Sequence, residues 1–261
     1  MAGASARVKN AAGSRKKVAV SRSPGRPSAG EPERASRASI FRVGLKLTKT
    51  VPLQDLSIVS LARSMDITPA LVHYYVISRD RLTSGIINLF YKGTVKNWPA
   101  QTGDWQHDVV NAAEHLYMQL LAYPGIAAYL VQKNEYRVVQ ETEEGETDFG
   151  LQLLECFIGT VRSVGLSPER TSIYSHMIRE FLFSTAHRTT FGLFPSQQRQ
   201  ELEKTIAKLS PDKWPNITFP QEALLEIDGD LVFHEGIELF LLGMARDRSK
   251  ERLKAVGARS K

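Results

Sequence analysis

The chain has a single cysteine among 261 residues. Cys156 therefore cannot form an internal disulfide, and a lone thiol builds no zinc site, which fits a reducing, cytoplasmic compartment. No stretch approaches the roughly 18 uninterrupted apolar residues of a membrane span. Period-two alternation bounded by turn signals is also missing, so a β-sheet has little to start from. Catalytic signatures are equally scarce. There is no glycine-rich phosphate loop, no His-Glu-x-x-His and no nucleophile elbow. The nearest approaches are His234 with Glu238, one helical turn apart, and the group Ser175, His176, Glu180. Neither has a third partner nearby, and surface hydrogen bonding accounts for both. These absences point away from an enzyme, a cofactor or a metal centre.

Acidic residues are rare at both ends. Residues 1–37 hold nine Lys/Arg against two acids, and residues 246–261 hold seven against two. Between them, 38–85 carry six against three, whereas 86–245 carry 12 against 21. A basic module on an acidic body suits a polyanion partner held by one end only. Residues 1–33 have almost no large apolar side chains and are expected to be a disordered basic tail. They also lack the apolar core of a secretory signal. Within them, Gly25-Arg26-Pro27 is similar to the core of a minor-groove hook, although a phosphate-attracting arm is the plainer reading. Residues 248–261 are expected to be a basic, disordered end.

What the chain does have is concentrated between Ser57 and Leu82. Ile58, Leu61, Ala62 and Met65 fall at i, i+3, i+4, i+7, giving one apolar helix face with Ser57 at the N-cap position. Asp66-Ile67 interrupts that helix. Thr68-Pro69 then restarts it, a capping hydroxyl before a proline at the position where no N–H is needed. Val72 and Val76 form a narrow buried stripe, leaving His73, Tyr74 and Tyr75 for other work. So short a helix cannot be stable alone, and its outward groups suit phosphates and base edges, as in a helix-turn-helix recognition helix.

This segment resembles the DNA-binding domain of the TetR family of bacterial transcriptional repressors. Ile40 to Thr48 occupies the register of the family's first helix. Ile67-Thr68-Pro69-Ala70-Leu71-Val72-His73-Tyr74-Tyr75-Val76 stands in place of its turn and recognition helix, and Ser78-Arg79-Asp80-Arg81-Leu82 in place of the entry to its fourth helix. Pro52 and Asp66 replace glycines of the pattern. His73, Tyr75 and Val76 replace its tyrosine, histidine and phenylalanine. The resemblance implies DNA contacts by Ser57, Thr68, Pro69, Ala70, Leu71, His73, Tyr74, Tyr75 and Arg79. Leu71 could meet a thymine methyl, and Tyr75 and Arg79 would hold phosphates.

Beyond Ser78 the chain reads as helix after helix: a fourth closed by Trp98-Pro99, then Asp104–Leu121, Ile126 to about Tyr136, and an acidic loop Gln140–Glu146. Phe149–Val164, Pro168–Thr190, Pro195–Leu209 and residues 222–247 follow. The fold class is all-α: a three-helix helix-turn-helix domain at 34–82 and a helical bundle at 83–247. Phe233 to Gly243 again resembles the family, in the closing helix of its ligand-binding domain. Gly236 and Gly243 are costly inside a helix, so something must come close there. The resemblance implies that this is the second subunit of a homodimer, joined through about 168–190 and 222–247; tight packing within one chain is the alternative. An apolar pocket in the body is expected for a small-molecule effector of unknown identity, with His115, Met118, Phe149, Tyr174, Met177 and Phe181 as candidate contacts. The expected function is a nucleoid-associated repressor on a partly palindromic operator. The alternative is an architectural protein coating DNA through its basic tail.

Overall fold

The computed structural model describes residues 35–132, 140–142 and 144–259, with side chains as far as Leu253. The basic tail, its Gly25-Arg26-Pro27 tripeptide and the expected end of the sixth helix near Tyr136 lie outside the described residues. Helices α1 (Arg37–Leu47), α2 (Ile58–Met65) and α3 (Pro69–Val76) make the head. The body follows as α4 (Arg79–Lys96), α5 (Trp105–Ala122), α6 (Pro124–Gln132), α7 (Phe149–Arg162), α8 (Pro168–Thr190), α9 (Arg199–Ile206), α10 (Pro215–Thr218), α11 (Gln221–Leu225) and α12 (Gly229–Arg259). Among the described residues there is no β-strand. No helix there is long and apolar enough to cross a membrane.

Local chemistry explains most helix starts. Ser36 and Ser57 each form a capping box with the serine three residues on. Thr68, Ser78, Asp104, Asp148 and Ser167 accept from backbone N–H groups in the first turns of α3, α4, α5, α7 and α8. Each such cap contributes about 1 kcal/mol by satisfying an orphan donor.

The interior is continuous from head to body. Ile40, Leu61, Val72 and Val76 of the head join Leu82, Ile86 and Phe90 of α4, and these run on to Leu116, Leu120, Ile178 and Met244. Residues from Arg34 onward form one compact unit. Close approach of α1 to α4 depends on small residues. A Cβ on Gly44 would overlap Ile86, and one on Gly85 would enter the Phe41 ring.

The final helix departs from expectation at both ends. It does not run unbroken from 222, because Asp228 accepts the Leu231 N–H at 2.8 Å and starts a new helix. Gly229 lets that start press on Thr189. Nor does it give way to a disordered end after 247. Glu251 accepts the Ser167 N–H at 2.7 Å, capping the start of α8, and Arg248 covers the Trp105 ring. Those distant partners carry α12 on to Arg259.

Candidate nucleic-acid interface

α2, its turn and α3 hold the outward residues in fixed positions. Ser60 and Ser57 exchange side-chain to backbone bonds of 3.0 and 3.1 Å. Asp66 takes the left-handed conformation that the turn demands (φ 54°, ψ 45°), which Asp tolerates better than most residues. Thr68 accepts from Leu71 N–H at 3.3 Å with Pro69 at the first helical position. Val72 and Val76 are buried as expected. Their burial turns Ala70, His73 and Tyr74 outward, Tyr74 being 66% exposed.

Of the nine candidate DNA contacts, Ser57, Thr68, Pro69, Ala70, His73, Tyr74 and Arg79 lie on the surface, while Leu71 and Tyr75 are half-buried. The Tyr75 ring meets Tyr74 edge-on at 5.3 Å. The Arg79 guanidinium donates to the Gln54 carbonyl, which ties the start of α4 to the short turn Leu53–Asp55 before α2. No sequence signal pointed to this contact, because the two residues are 25 apart.

A feature absent from the sequence reading follows α3 directly. Ile77 has φ 63° and ψ −52°, and Ser78 N–H bonds to Val76 carbonyl at 2.6 Å across it. This is a three-residue turn in the strained, positive-φ form, adopted by an exposed β-branched residue. It delivers the recognition helix into α4 within two residues.

The head is seated on the body at named points. Gly125 N–H at the start of α6 donates to Thr48 carbonyl at 2.8 Å, and a Cβ there would overlap the Val51 carbonyl oxygen. Gln54 Nε2 donates to Gln132 at 2.7 Å. Arg37 of α1 pairs with Glu146 at 3.4 Å. Asn88 of α4 donates to Thr147 carbonyl at 3.0 Å and accepts Phe149 N–H at 2.8 Å, holding the acidic loop against the joint. A cavity of about 500 Å³ opens there, with Arg37, Phe41, Asn88, Lys92 and Phe149 among its walls.

The six candidate effector contacts are not gathered in one place. Phe149 lines the cavity just described. His115 has its Nε2 2.9 Å from Thr94 carbonyl and its ring edge-on to Trp98. Met118, 60% exposed, and Met177 point out of the bundle. Tyr174 hydroxyl donates to Asp247 at 3.1 Å, and Phe181 packs edge-on against Phe240 of α12. The helical period decides this: on α8, positions 174 and 181 share the side turned to α12, so these side chains fill the α8–α12 seam.

The glycines of α12 have the same explanation. A Cβ on Gly236 would enter the Phe181 ring, and one on Gly243 would crowd the Tyr174 hydroxyl. The close approach that sequence assigned to a second subunit is made within the chain. Ile173 and Met177 of α8 and Leu231, Leu239 and Leu242 of α12 instead leave an exposed apolar set, Leu239 being 68% accessible.

Electrostatics favour structure over catalysis. Burial works to raise the Asp247 carboxyl, but the Tyr174 hydrogen bond and the nearby Arg170 and Arg246 hold it below its ordinary value. The Thr102 N–H, opposed by burial, likewise keeps Asp108 low. Burial pushes the Cys156 thiol up, away from the reactive thiolate. Burial also lowers His187, helped by Arg188. Among the described residues no three of His, Cys, Asp or Glu gather as a metal site.

Residues 99–248 match the family model of the tetracyclin repressor-like C-terminal domain. Among solved structures, apo ActR from Streptomyces coelicolor is 19% identical, covers 82% of this chain and 98% of its own, and superposes with a TM-score of 0.66. ActR in complex with actinorhodin is 18% identical, with 81% and 95% coverage and a TM-score of 0.67. BioQ from Mycobacterium smegmatis is 14% identical, with 82% and 99% coverage and a TM-score of 0.51. Among curated sequences none matches.

Proposed function

The chain belongs to the TetR family of transcriptional regulators, and from that premise we propose that it represses transcription as a homodimer on a partly palindromic operator and is released by a small molecule. The observation that carries this reading is the outward set Ala70, His73 and Tyr74 on a short helix whose fully buried residues are Val72 and Val76. So short a helix depends on the rest of the head for its stability, and its outward side chains are left for a partner. Placed in the major groove, Thr68, Ala70, Leu71, His73 and Tyr74 read bases and sugar-phosphate, and Tyr75 and Arg79 hold phosphates. Ser57 starts α2, whose first backbone N–H groups, on Ile58 and Val59, face a flanking phosphate.

One recognition helix buries little DNA surface, so useful affinity calls for a second half-site and a second subunit. The exposed apolar residues of α8 and α12 supply a surface for it. In this reading the body binds the effector; ActR, which shares the fold, has been solved in complex with actinorhodin. Release follows if the effector prefers a conformation in which the Gly125–Thr48 seat and the start of α4 have shifted, respacing the two heads. The protein is not an enzyme in this reading, and it works on DNA in the cytoplasm.

The test is selection from random duplexes, followed by gel-shift titration of the full chain and of a chain lacking residues 1–33. The regulator reading expects site-specific binding to survive the truncation and to disappear in His73→Ala/Tyr74→Ala. Arg79→Ala should weaken binding across all sequences. Sequence-independent binding that vanishes with the tail would establish the architectural alternative instead.

A further inference from the structure

A second basic surface lies away from the recognition helix. α1 places Arg42 and Lys46 one turn apart, Lys49 follows in the turn after it, and α4 places Lys92 and Lys96 one turn apart opposite them. Together with Tyr123, from the turn between α5 and α6, they line a groove of about 520 Å³. That is the size of a small-molecule site. The groove has no acidic residue in its lining. Glu141 and Glu146 line the neighbouring cavity, whose walls Arg42 and Lys92 share, and among the described residues none of the five cations makes an ion pair. Lys49 rests over the Tyr123 ring and Lys92 over Phe149, each at 5.3 Å.

This arrangement is unfavourable in an empty protein. Like charges at i, i+4 repel along each helix, and the facing helix adds more of the same sign. It also stands out against the body, where acids outnumber bases between 86 and 245. The duplex is badly placed to neutralise it. Lys92 and Lys96 lie 13 and 17 residues beyond Arg79, roughly 20 and 25 Å along α4 from the end that follows the recognition helix.

We propose that the groove between α1 and α4 binds a small polyanion with two or more linked phosphate groups, separate from the DNA-reading face. The four lysine ammonium groups act as point charges for phosphate oxygens and Arg42 adds a guanidinium fork; five cations suit a linked chain better than a single phosphate. A bound polyanion bridges α1 to α4, so it stiffens the element that joins the head to the body.

Isothermal titration of the full chain with sodium triphosphate, adenosine triphosphate and orthophosphate, without divalent metal, tests this. The expected result is one triphosphate per subunit, with orthophosphate at least about tenfold weaker. The variant Lys46→Gln/Lys92→Gln/Lys96→Gln should weaken triphosphate about tenfold, since three exposed charge contacts are lost. Its melting temperature without anion should equal or exceed that of the parent, because repulsion has been relieved. Tighter binding of adenosine triphosphate than of triphosphate would place the nucleoside against Tyr123, and equal binding would leave phosphate as the whole determinant; both support the site. Unchanged triphosphate affinity in the variant overturns the proposal. So does a variant that loses affinity and salt dependence for random duplex while the parent ignores triphosphate, since the groove would then be a track for DNA.

Discussion

Head and body are held together over different distances along the chain. In the head, the defining bonds join residues three apart: Ser36 with Ser39, Ser57 with Ser60, Thr68 with Leu71. In the body they join residues far apart: Tyr117 with Thr189 across 72 positions, Tyr174 with Asp247 across 73, Ser167 with Glu251 across 84. The head is therefore a set of locally specified pieces resting on one shared core. The body is specified by partners that meet only after folding.

The sharpest way to break the division is at the seam. Gly125→Val puts side-chain atoms into the Val51 carbonyl, and a backbone cannot turn aside as a side chain can. Urea unfolding should show a loss of about 3 kcal/mol, with DNA affinity falling as the head loses its seat. A loss below about 1 kcal/mol would mean that head and body meet loosely.

A long-range bond of the body comes next. Asp247→Ala leaves the buried Tyr174 hydroxyl without its acceptor and removes the neighbour of Arg170, Arg246 and Lys250. We expect about 2 kcal/mol of destabilisation. The same residue sets a pH dependence. Because folding lowers the Asp247 and Asp108 carboxyls below their ordinary value of 3.8, their contribution is complete above that value and is lost as pH falls through the folded values. Acid titration of stability should therefore flatten in Asp247→Ala. An unchanged acid limb would remove Asp247 from the account.

The local bonds of the head should cost less. Thr68→Ala removes a cap and is expected to destabilise by about 1 kcal/mol, while also loosening the start of the recognition helix in hydrogen exchange. Last comes Ile77→Gly, which relaxes the strained turn after α3. Relief of about 1–3 kcal/mol is partly offset by the roughly 0.5–1 kcal/mol entropy cost of glycine, so a net gain of about 1 kcal/mol is expected from thermal unfolding. Clear destabilisation would show that Ile77 contributes packing that its exposure conceals.

How much of this was readable follows from the same distances. The turn at Asp66, the proline start at Pro69 and the buried pair Val72 and Val76 were legible, because capping, φ preference and helical period act within a few residues. The break before α12 left a signal in Asp228-Gly229-Asp230 that a capping argument could have caught. The extension of α12 past 247 left none, since Glu251 and Arg248 matter only once Ser167 and Trp105 are beside them. The glycines at 236 and 243 announced a close approach without saying to what. The six effector candidates were chosen by residue type, and type does not tell which side of a helix is already occupied.

The order of the amino acids by itself settled the all-helical fold class, the caps at Ser57 and Thr68 and the outward face of the helix after Thr68, since each depends on forces acting over a turn or two. Folding alone decided where Gly125 seats the head, which side chains close the α8–α12 seam, and that five cations from two helices share one groove. Those outcomes turn on which surfaces meet across long stretches of chain, and no local preference carries that information.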